Sequence, residues 1–198
     1  DTLRYRIGVA TYSVGVAYNN RKTSLQFIQQ EMNNITALSN ETCQLGIQSR
    51  NMVLYIAKKD SPQPIRLMSS VGKQLPLYCT GLGRALLAYK SEEEIRSLFP
   101  EVLTAYTPHT IATINDLLKE LELTRQRGYA VEHEETNLMV NCIAVSLDYN
   151  NAPIAALSIS IPTFRISESK EKEAVQILWE AKQHIETHFK MYGVDFGN

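Results

Sequence analysis

The sequence lacks the features that define several large classes of protein. No apolar run approaches the roughly 20 residues that a membrane-spanning helix requires, and no signal peptide precedes the first predicted strand. The three cysteines, Cys43, Cys79 and Cys142, are odd in number and widely spaced. Neither a disulfide framework nor a zinc-binding CxxC motif is therefore predicted, and a reducing cytoplasm is the expected location.

Excess positive charge is absent as well. The 198 residues carry 20 Lys and Arg against 21 Asp and Glu, a net charge of −1. A domain that binds DNA unaided usually concentrates its basic residues on one face, whereas here they are scattered. DNA binding by this chain alone is therefore not predicted. With 44% hydrophobic residues, the chain has the length of one large domain, or of one domain plus a short connecting element.

Nucleotide-binding motifs are also missing, although the turn Gly81-Leu82-Gly83 has some resemblance to one. Leu86 stands where a dinucleotide fingerprint requires its third glycine, and no Gly-Lys-Ser/Thr sequence follows. No cofactor is predicted. The turn either offers backbone N–H groups at a helix start, a weak anion site, or serves only to relieve steric crowding.

The first third of the chain predicts two helices followed by strands. Apolar residues at helical spacing predict a short helix or connector over Leu3–Ala17. A second helix is expected after a cap at Thr23 or Ser24. Its predicted buried face consists of Leu25, Ile28, Met32, Ile35 and Leu38. The predicted strands are Glu41–Ser49, Asn51–Lys59 and Ile65–Ser70, the first two joined as a hairpin.

The rest of the chain predicts helices, three more strands and a final helix. The predicted helices are Gly83–Tyr89, one begun by the capping box Ser91 to Glu94, Ile114–Arg127 ended by Gly128, and one from Ser167 to about Met191. The predicted strands are Tyr129–Glu134, Val140–Tyr149 and Ala152–Ile161, with a turn at Asn150-Asn151. This order favours an α+β domain, an antiparallel sheet with helices grouped at one face.

Residues able to perform catalysis or bind metal are few. Cys142 lies in a strand, where a cysteine is usually a small core residue, and a nucleophile would need a histidine beside it. His184 and His188 have the spacing of a metal-binding pair on a helix, but no third ligand is evident. The sequence therefore predicts neither a catalytic nor a metal site.

Two pairs of polar residues fall on predicted strands. Alternation would place Glu132 and Glu134 on one face, either for acid–base work or as solvated edge charges. Ser158 and Ser160 share one face of an otherwise apolar strand. Because buried hydroxyls need partners, the two serines either satisfy each other and the backbone or line a wet pocket.

Four segments together resemble a known family. They are YRIG at Tyr5–Gly8, VGKQLPLYCTGLGRALLAY at Val71–Tyr89, RQRGYAVEHEETNLMVNCIAVSLD at Arg125–Asp148 and APIAALSISIP at Ala152–Pro162. In order and spacing the chain resembles the effector-binding domain of the IclR family of bacterial transcription regulators. The resemblance implies a GAF-like α+β domain that is not an enzyme, and that assembles as dimers or tetramers.

The resemblance also implies how the domain works in a longer regulator. Residues 1–20 would form a linker helix and residues 21–198 the effector-binding domain. Operator DNA would be contacted only by an N-terminal winged helix-turn-helix domain that this chain does not contain. The implied effector is a small organic acid or an aromatic acid. Because Glu132 would repel a second carboxylate but accept bonds from ligand hydroxyls, a sugar or hydroxy acid is preferred and an aromatic acid is the alternative.

Family ligand contacts carry over to matching positions only. They are the backbone of Gly81 and Leu82, and the side chains of Glu132, Cys142, Ser158 and Ser160. Glu132 stands where relatives have Asp, while Tyr78 and Leu82 replace a common His and Ala, so a smaller or differently shaped pocket is expected. No Arg or Lys is expected on its lining, so a carboxylate would be held by neutral donors.

Overall fold

The computed structural model of the chain describes residues 8–19, 24–65 and 70–196. Predictions made for Leu3 to Ile7, for a cap at Thr23 and for strand residues 66–69 lie outside these ranges. Within these ranges the elements occur in the predicted order. Two helices and three strands come first, followed by three helices, three strands and a final helix.

The helices and strands have the following bounds. The helices are α1 Val9–Asn19, α2 Ser24–Ser39, α3 Gly81–Leu87, α4 Glu92–Leu98, α5 Ile114–Arg127 and α6 Glu168–Tyr192. The strands are β1 Thr42–Ser49, β2 Met52–Lys59, β3 Gln74–Pro76, β4 Ala130–His133, β5 Val140–Tyr149 and β6 Ala152–Pro162. Short 3₁₀ turns occupy Leu77–Cys79 and Thr163–Arg165.

The six strands form one antiparallel sheet in the order β3-β2-β1-β6-β5-β4. The hairpin β5–β6 turns at Asn150 and Asn151, which have φ of 51° and 62°, as expected of asparagine in such a turn. β6 also pairs with β1 from the first half of the chain. This long-range pairing brings the two halves of the sequence into one sheet, with β1 and β6 at its centre.

Helices cover both faces of the sheet, so the expectation that they gather at one face is wrong. Alternate residues of the central strands, such as Leu157 and Ala156, belong to two separate hydrophobic clusters. One cluster packs under α2 and α6, the other under α3 and α5. The central strands are apolar on both sides, and two apolar faces both require a cover.

Helix ends follow their sequence signals closely. Ser91 and Glu94 form the capping box of α4, and Thr113 and Ser167 cap α5 and α6. Gly128 ends α5 in the left-handed region, with φ of 78°. None of the helices in the described ranges is long and apolar enough to cross a membrane.

Two details of the prediction differ from the structure. Leu38 is 59% exposed, because Thr36 and Ser39 take the buried positions in the last turn of α2. The strand beside β2 is the short β3 at Gln74–Pro76, and Ile65 lies in no strand.

Candidate functional site

A small cavity lies between the start of α3 and the sheet face that α3 covers. Four adjacent strands supply one polar side chain each: Gln44 from β1, Ser158 from β6, Cys142 from β5 and Glu132 from β4. The remaining lining residues are Tyr55, Lys73, Leu75, Thr80, Gly81, Leu82, Thr136, Asn137 and Val140. The enclosed space is about 30 Å³, room for one or two waters, so a metabolite requires the walls to move apart.

Glycine is required where α3 begins. A Cβ at Gly83 would lie 2.1 Å from the carbonyl oxygen of Leu77, an impossible contact. A Cβ at Gly81 would lie 3.3 Å from the Cβ of Cys142, so α3 sits close against β5. Thr80 caps the helix through the N–H of Gly83. The N–H groups of Gly81 and Leu82 find no acceptor among the described residues.

Glu132 is a buried carboxyl group, 1% exposed, at the β4 side of the cavity. Its Oε1 accepts hydrogen bonds from the N–H groups of Glu135 (2.5 Å) and Thr136 (3.2 Å). Burial raises the pKa of Glu132 to about 7, and these two bonds oppose the rise. Glu134 does not share its face, because β4 ends at His133 and Glu134 has φ of 56°.

Cys142 and Ser160 form a hydrogen-bonded chain that ends at Gln44. The Sγ of Cys142 lies 3.1 Å from Ser160 Oγ, and Ser160 Oγ donates to Gln44 Oε1 over 3.0 Å. Burial, with the nearby charge of Glu132, raises the pKa of the Cys142 thiol. Cys142 is therefore a neutral thiol at neutral pH, without the low pKa that a nucleophile requires.

The two serines predicted to share a face have different surroundings. Ser160 is satisfied by the chain just described and is not a lining residue. Ser158 lines the cavity, and its buried Oγ has no hydrogen-bond partner within the part of the chain that the structure describes. An orphaned buried hydroxyl costs about 1–3 kcal/mol, which a ligand acceptor would recover.

The expectation that no basic residue lines the pocket is wrong, because Lys73 does. Lys73 lies in the connection before β3, next in sequence to Gly72, whose φ of 87° marks a turn. The lining position of Gln44 was also missed, although a glutamine within the otherwise apolar TCQLGI is a polar exception that could have been noticed.

Behind the cavity, a buried ion pair joins α3 to the connection between β4 and β5. Arg84 donates to Glu135 (2.5 Å), Tyr78 O (3.0 Å) and Val131 O (2.9 Å). With only 2% of its surface exposed, Arg84 is committed to the protein and is not available to a ligand. Glu135 in turn accepts from Ile111 N, so a third segment is tied to the same carboxylate.

The histidine pair of α6 is not a metal site. His184 Nδ1 faces Glu31 at 3.4 Å, while His188 stacks on Phe27 with ring centroids 4.2 Å apart. Across the described ranges, no group of three or more His, Cys, Asp or Glu side chains is placed to hold a metal ion.

Comparison with known sequences gives a consistent result. The family described as "Bacterial transcriptional regulator IclR C-terminal" matches residues 17–187. The chain is 33% identical over 187 residues to the HTH-type transcriptional regulator KdgR of Dickeya chrysanthemi, covering 93% of this chain and 61% of KdgR. It is 32% identical over 185 residues to the HTH-type transcriptional repressor AllR of Escherichia coli K12, covering 92% and 68%.

Solved structures show the same fold. The C-terminal domain of E. coli KdgR aligns with a TM-score of 0.75 at 32% identity, covering 83% of this chain and 96% of that one. The Thermotoga maritima IclR aligns with a TM-score of 0.83 at 29% identity, covering 93% and 76%. The α+β, GAF-like architecture expected from the sequence is confirmed.

Proposed function

The chain belongs to the IclR family of bacterial transcriptional regulators, and from this we propose that it senses a small organic acid in the cavity beneath α3. Residues 21–198 are proposed as the effector-binding domain and residues 1–20 as the linker helix. Operator binding is assigned to a helix-turn-helix domain outside these 198 residues. The net charge of −1 supports this division, because a DNA-binding surface would need a basic face.

The observation that carries the ligand proposal is the orphaned hydroxyl of Ser158. A buried hydroxyl without a partner is stabilised by any ligand acceptor that reaches it. The N–H groups of Gly81 and Leu82 are further donors at the same cavity, and Lys73 adds a positive charge. Donors of this kind suit a carboxylate.

Glu132 favours hydroxyl groups on the ligand. Its carboxyl group accepts hydrogen bonds from hydroxyls but repels a second carboxylate when it is ionised. Tyr55 is the one aromatic side chain among the described lining residues, so stacking surface for an aromatic acid is limited. A hydroxylated monoacid, such as a sugar acid, is therefore preferred over an aromatic acid.

Cys142 and Ser160 support the pocket and do not react. The raised pKa of Cys142 keeps its sulfur protonated, so it offers a polarizable wall. No activated nucleophile faces the cavity from the described residues, which agrees with a binding domain. Turnover of the bound acid is not expected.

Self-association is proposed through α1. Val9 and Val14 on this helix are 83% and 70% exposed, so their apolar side chains are accessible to a partner. A second copy of the chain is the proposed partner, as a dimer or a tetramer. Ligand would act by favouring one assembly state over another.

A thermal-shift screen tests the ligand proposal. The probes are gluconate, glycerate, lactate, pyruvate, benzoate and 4-hydroxybenzoate. Hydroxy acids are expected to raise Tm, and Ser158→Ala to weaken their binding about tenfold by removing one bond to a charged group. Ser97→Ala, at an exposed serine of α4, is the matched control.

Each outcome of the screen has a defined meaning. Stabilisation by the two aromatic acids alone would select the alternative ligand class. Absence of stabilisation by all six acids would overturn the proposed function. Binding that is equally strong in Ser158→Ala would move the ligand away from this cavity.

A further inference from the structure

The cavity proposed as the ligand site has two chemically different ends, and Gln44 lies at one of them. If the proposed function holds, the carboxylate of the ligand lies at one of these two ends. We propose that Gln44 binds the carboxylate of the ligand, and that Ser160 is a positioning residue which holds the Gln44 amide in its donating orientation.

The orientation of the Gln44 amide follows from its hydrogen bond to Ser160. A serine hydroxyl donates to Gln44 Oε1 over 3.0 Å, so the oxygen side of the amide is used within the protein. What Gln44 can then offer a ligand is N–H. An amide nitrogen carries two hydrogens and can donate to a ligand beside an existing partner.

Cys142 lies at the other end of this chain of hydrogen bonds. Its sulfur lies 3.1 Å from Ser160 Oγ, and burial keeps the thiol protonated by raising its pKa. A protonated thiol does not require the Ser160 hydroxyl hydrogen, and Ser160 Oγ donates that hydrogen to Gln44 Oε1. The hydroxyl of Ser160 on β6 thus sets the direction of the Gln44 amide on β1.

A second donor lies directly beside Gln44. Ser158 is its cross-strand neighbour in the β1–β6 ladder, and directly opposed residues have Cβ atoms roughly 5 Å apart. The Ser158 hydroxyl is buried and lacks a partner among the described residues. Side chains on such neighbouring positions can direct an N–H and an O–H to the two oxygens of one carboxylate. Lys73 enters from the β3 side of the sheet, the same side as Gln44.

The opposite end of the cavity carries an acceptor. Glu132 lies on β4, three strands from the β1 strand of Gln44, roughly 14 Å at the level of the backbone. A carboxylate placed there would meet a like charge whenever Glu132 is ionised. The bound acid is therefore oriented with its carboxylate toward β1 and its hydroxyls toward β4. An acid long enough to reach both ends gains both sets of bonds, so gluconate should bind more tightly than glycerate.

Titration calorimetry with gluconate and with glucitol, its neutral counterpart, tests the role of Gln44. Gln44→Met keeps the volume but removes the donors, and should weaken gluconate binding about tenfold or more while changing glucitol affinity less than about threefold. Gln44→Glu should weaken gluconate further. Gln48→Met, at an exposed glutamine of the same strand, should change neither.

Variants of Ser160 test the positioning role without altering Gln44. Ser160→Ala should reduce the preference for gluconate over glucitol, because the amide then loses the partner that binds its oxygen. Ser160→Thr keeps the hydroxyl and should restore the preference. An equal preference in all three proteins would overturn the positioning role.

The outcomes separate the role of Gln44 from the proposed function. Gluconate binding that Ser158→Ala and Glu132→Gln weaken but Gln44→Met does not would overturn the role of Gln44 and leave the cavity as the ligand site. An unmodified chain that binds neither gluconate nor any other acid of the thermal-shift screen would contradict both. Circular dichroism and thermal unfolding establish that each variant is folded.

Discussion

Two opposing effects act on the pKa of the Glu132 carboxyl group. Its burial favours the neutral acid, whereas the hydrogen bonds that it accepts from two N–H groups favour the carboxylate. Burial is the larger effect, and the pKa of Glu132 rises to about 7. Glu132 therefore changes its charge near physiological pH, at the wall of the proposed ligand cavity.

A pH-dependent stability follows from this carboxyl group. In the folded protein Glu132 retains its proton up to about pH 7, whereas an unfolded glutamate loses it near pH 4.3. Between these values the folded state binds more protons, so stability falls as pH rises, by up to about 3 kcal/mol from this group. Glu132→Gln, which is always neutral, should not show this loss.

Urea unfolding of the unmodified chain and of Glu132→Gln at pH 5 and pH 8 measures the effect. The free energy of unfolding of Glu132→Gln, relative to that of the unmodified chain, is expected to increase as pH rises. Glu180→Gln, at an exposed glutamate of α6, should show the same pH dependence of unfolding as the unmodified chain. Parallel pH profiles for Glu132→Gln and the unmodified chain would rule out a raised pKa.

The sequence predicts a lining residue of the cavity where a polar side chain interrupts an otherwise apolar strand. Cys142 and Ser158 were placed on strands correctly and do line the cavity. The difference between Ser158 and Ser160 was not readable, because it depends on Gln44, more than 100 residues away and brought near by the β1–β6 register. Lys73 was missed for the same kind of reason, since the short β3 beside it has little sequence pattern.

At the scale of elements, α3 is the structure on which the cavity depends. Its start must lie close to both the preceding 3₁₀ turn and β5, which Gly83 and Gly81 make possible. Gly83→Ala should destabilise the protein by more than about 3 kcal/mol, because the new methyl group would meet rigid backbone at Leu77.

Gly15→Ala is the matched control for that substitution. Gly15 is also in a helix, α1, but a Cβ there would have no atom within 4 Å. The substitution should stabilise α1 by about 1 kcal/mol or leave the free energy of unfolding unchanged. Chemical denaturation of both variants measures the difference, and equal effects would show that the Leu77 contact is not limiting.

The ion pair of Arg84 and Glu135 locks α3 to the β4–β5 connection. Removing one member leaves a buried charge, so Arg84→Met should cost about 3–5 kcal/mol. The double variant Arg84→Met with Glu135→Gln should cost less than the sum of the two single changes. Arg96→Met, at an exposed arginine of α4, should cost less than about 1 kcal/mol. Strict additivity in denaturant unfolding would show that the pair is not coupled.

Elements with strong local signals were predicted well. Caps at Ser91, Thr113 and Ser167 and the terminator Gly128 fixed the ends of α4, α5 and α6, because each acts on its own backbone neighbours. The face of the sheet on which each helix packs could not be predicted from the local sequence. Placing α2 and α6 opposite α3 depends on the sheet order, which only the assembled fold determines.

At the scale of the whole molecule, α1 presents the exposed side chains of Val9 and Val14. Val9→Asp combined with Val14→Asp should shift the chain toward monomer in sedimentation velocity, because charge opposes burial of this face against a second copy. Ser13→Asp, on the same helix, is the control and should have a smaller effect. A monomer in the unmodified chain at tens of micromolar would contradict the proposed assembly.

The most direct test of the central claim is a crystal structure of the chain with the acid that raises its Tm most in the screen. The acid is expected in the cavity beneath α3, with its carboxylate at Gln44 and Ser158 and its hydroxyls toward Glu132. The walls of the cavity, which now enclose about 30 Å³, should have moved apart to admit it. An acid bound elsewhere on the molecule, with this cavity unchanged, would contradict the account.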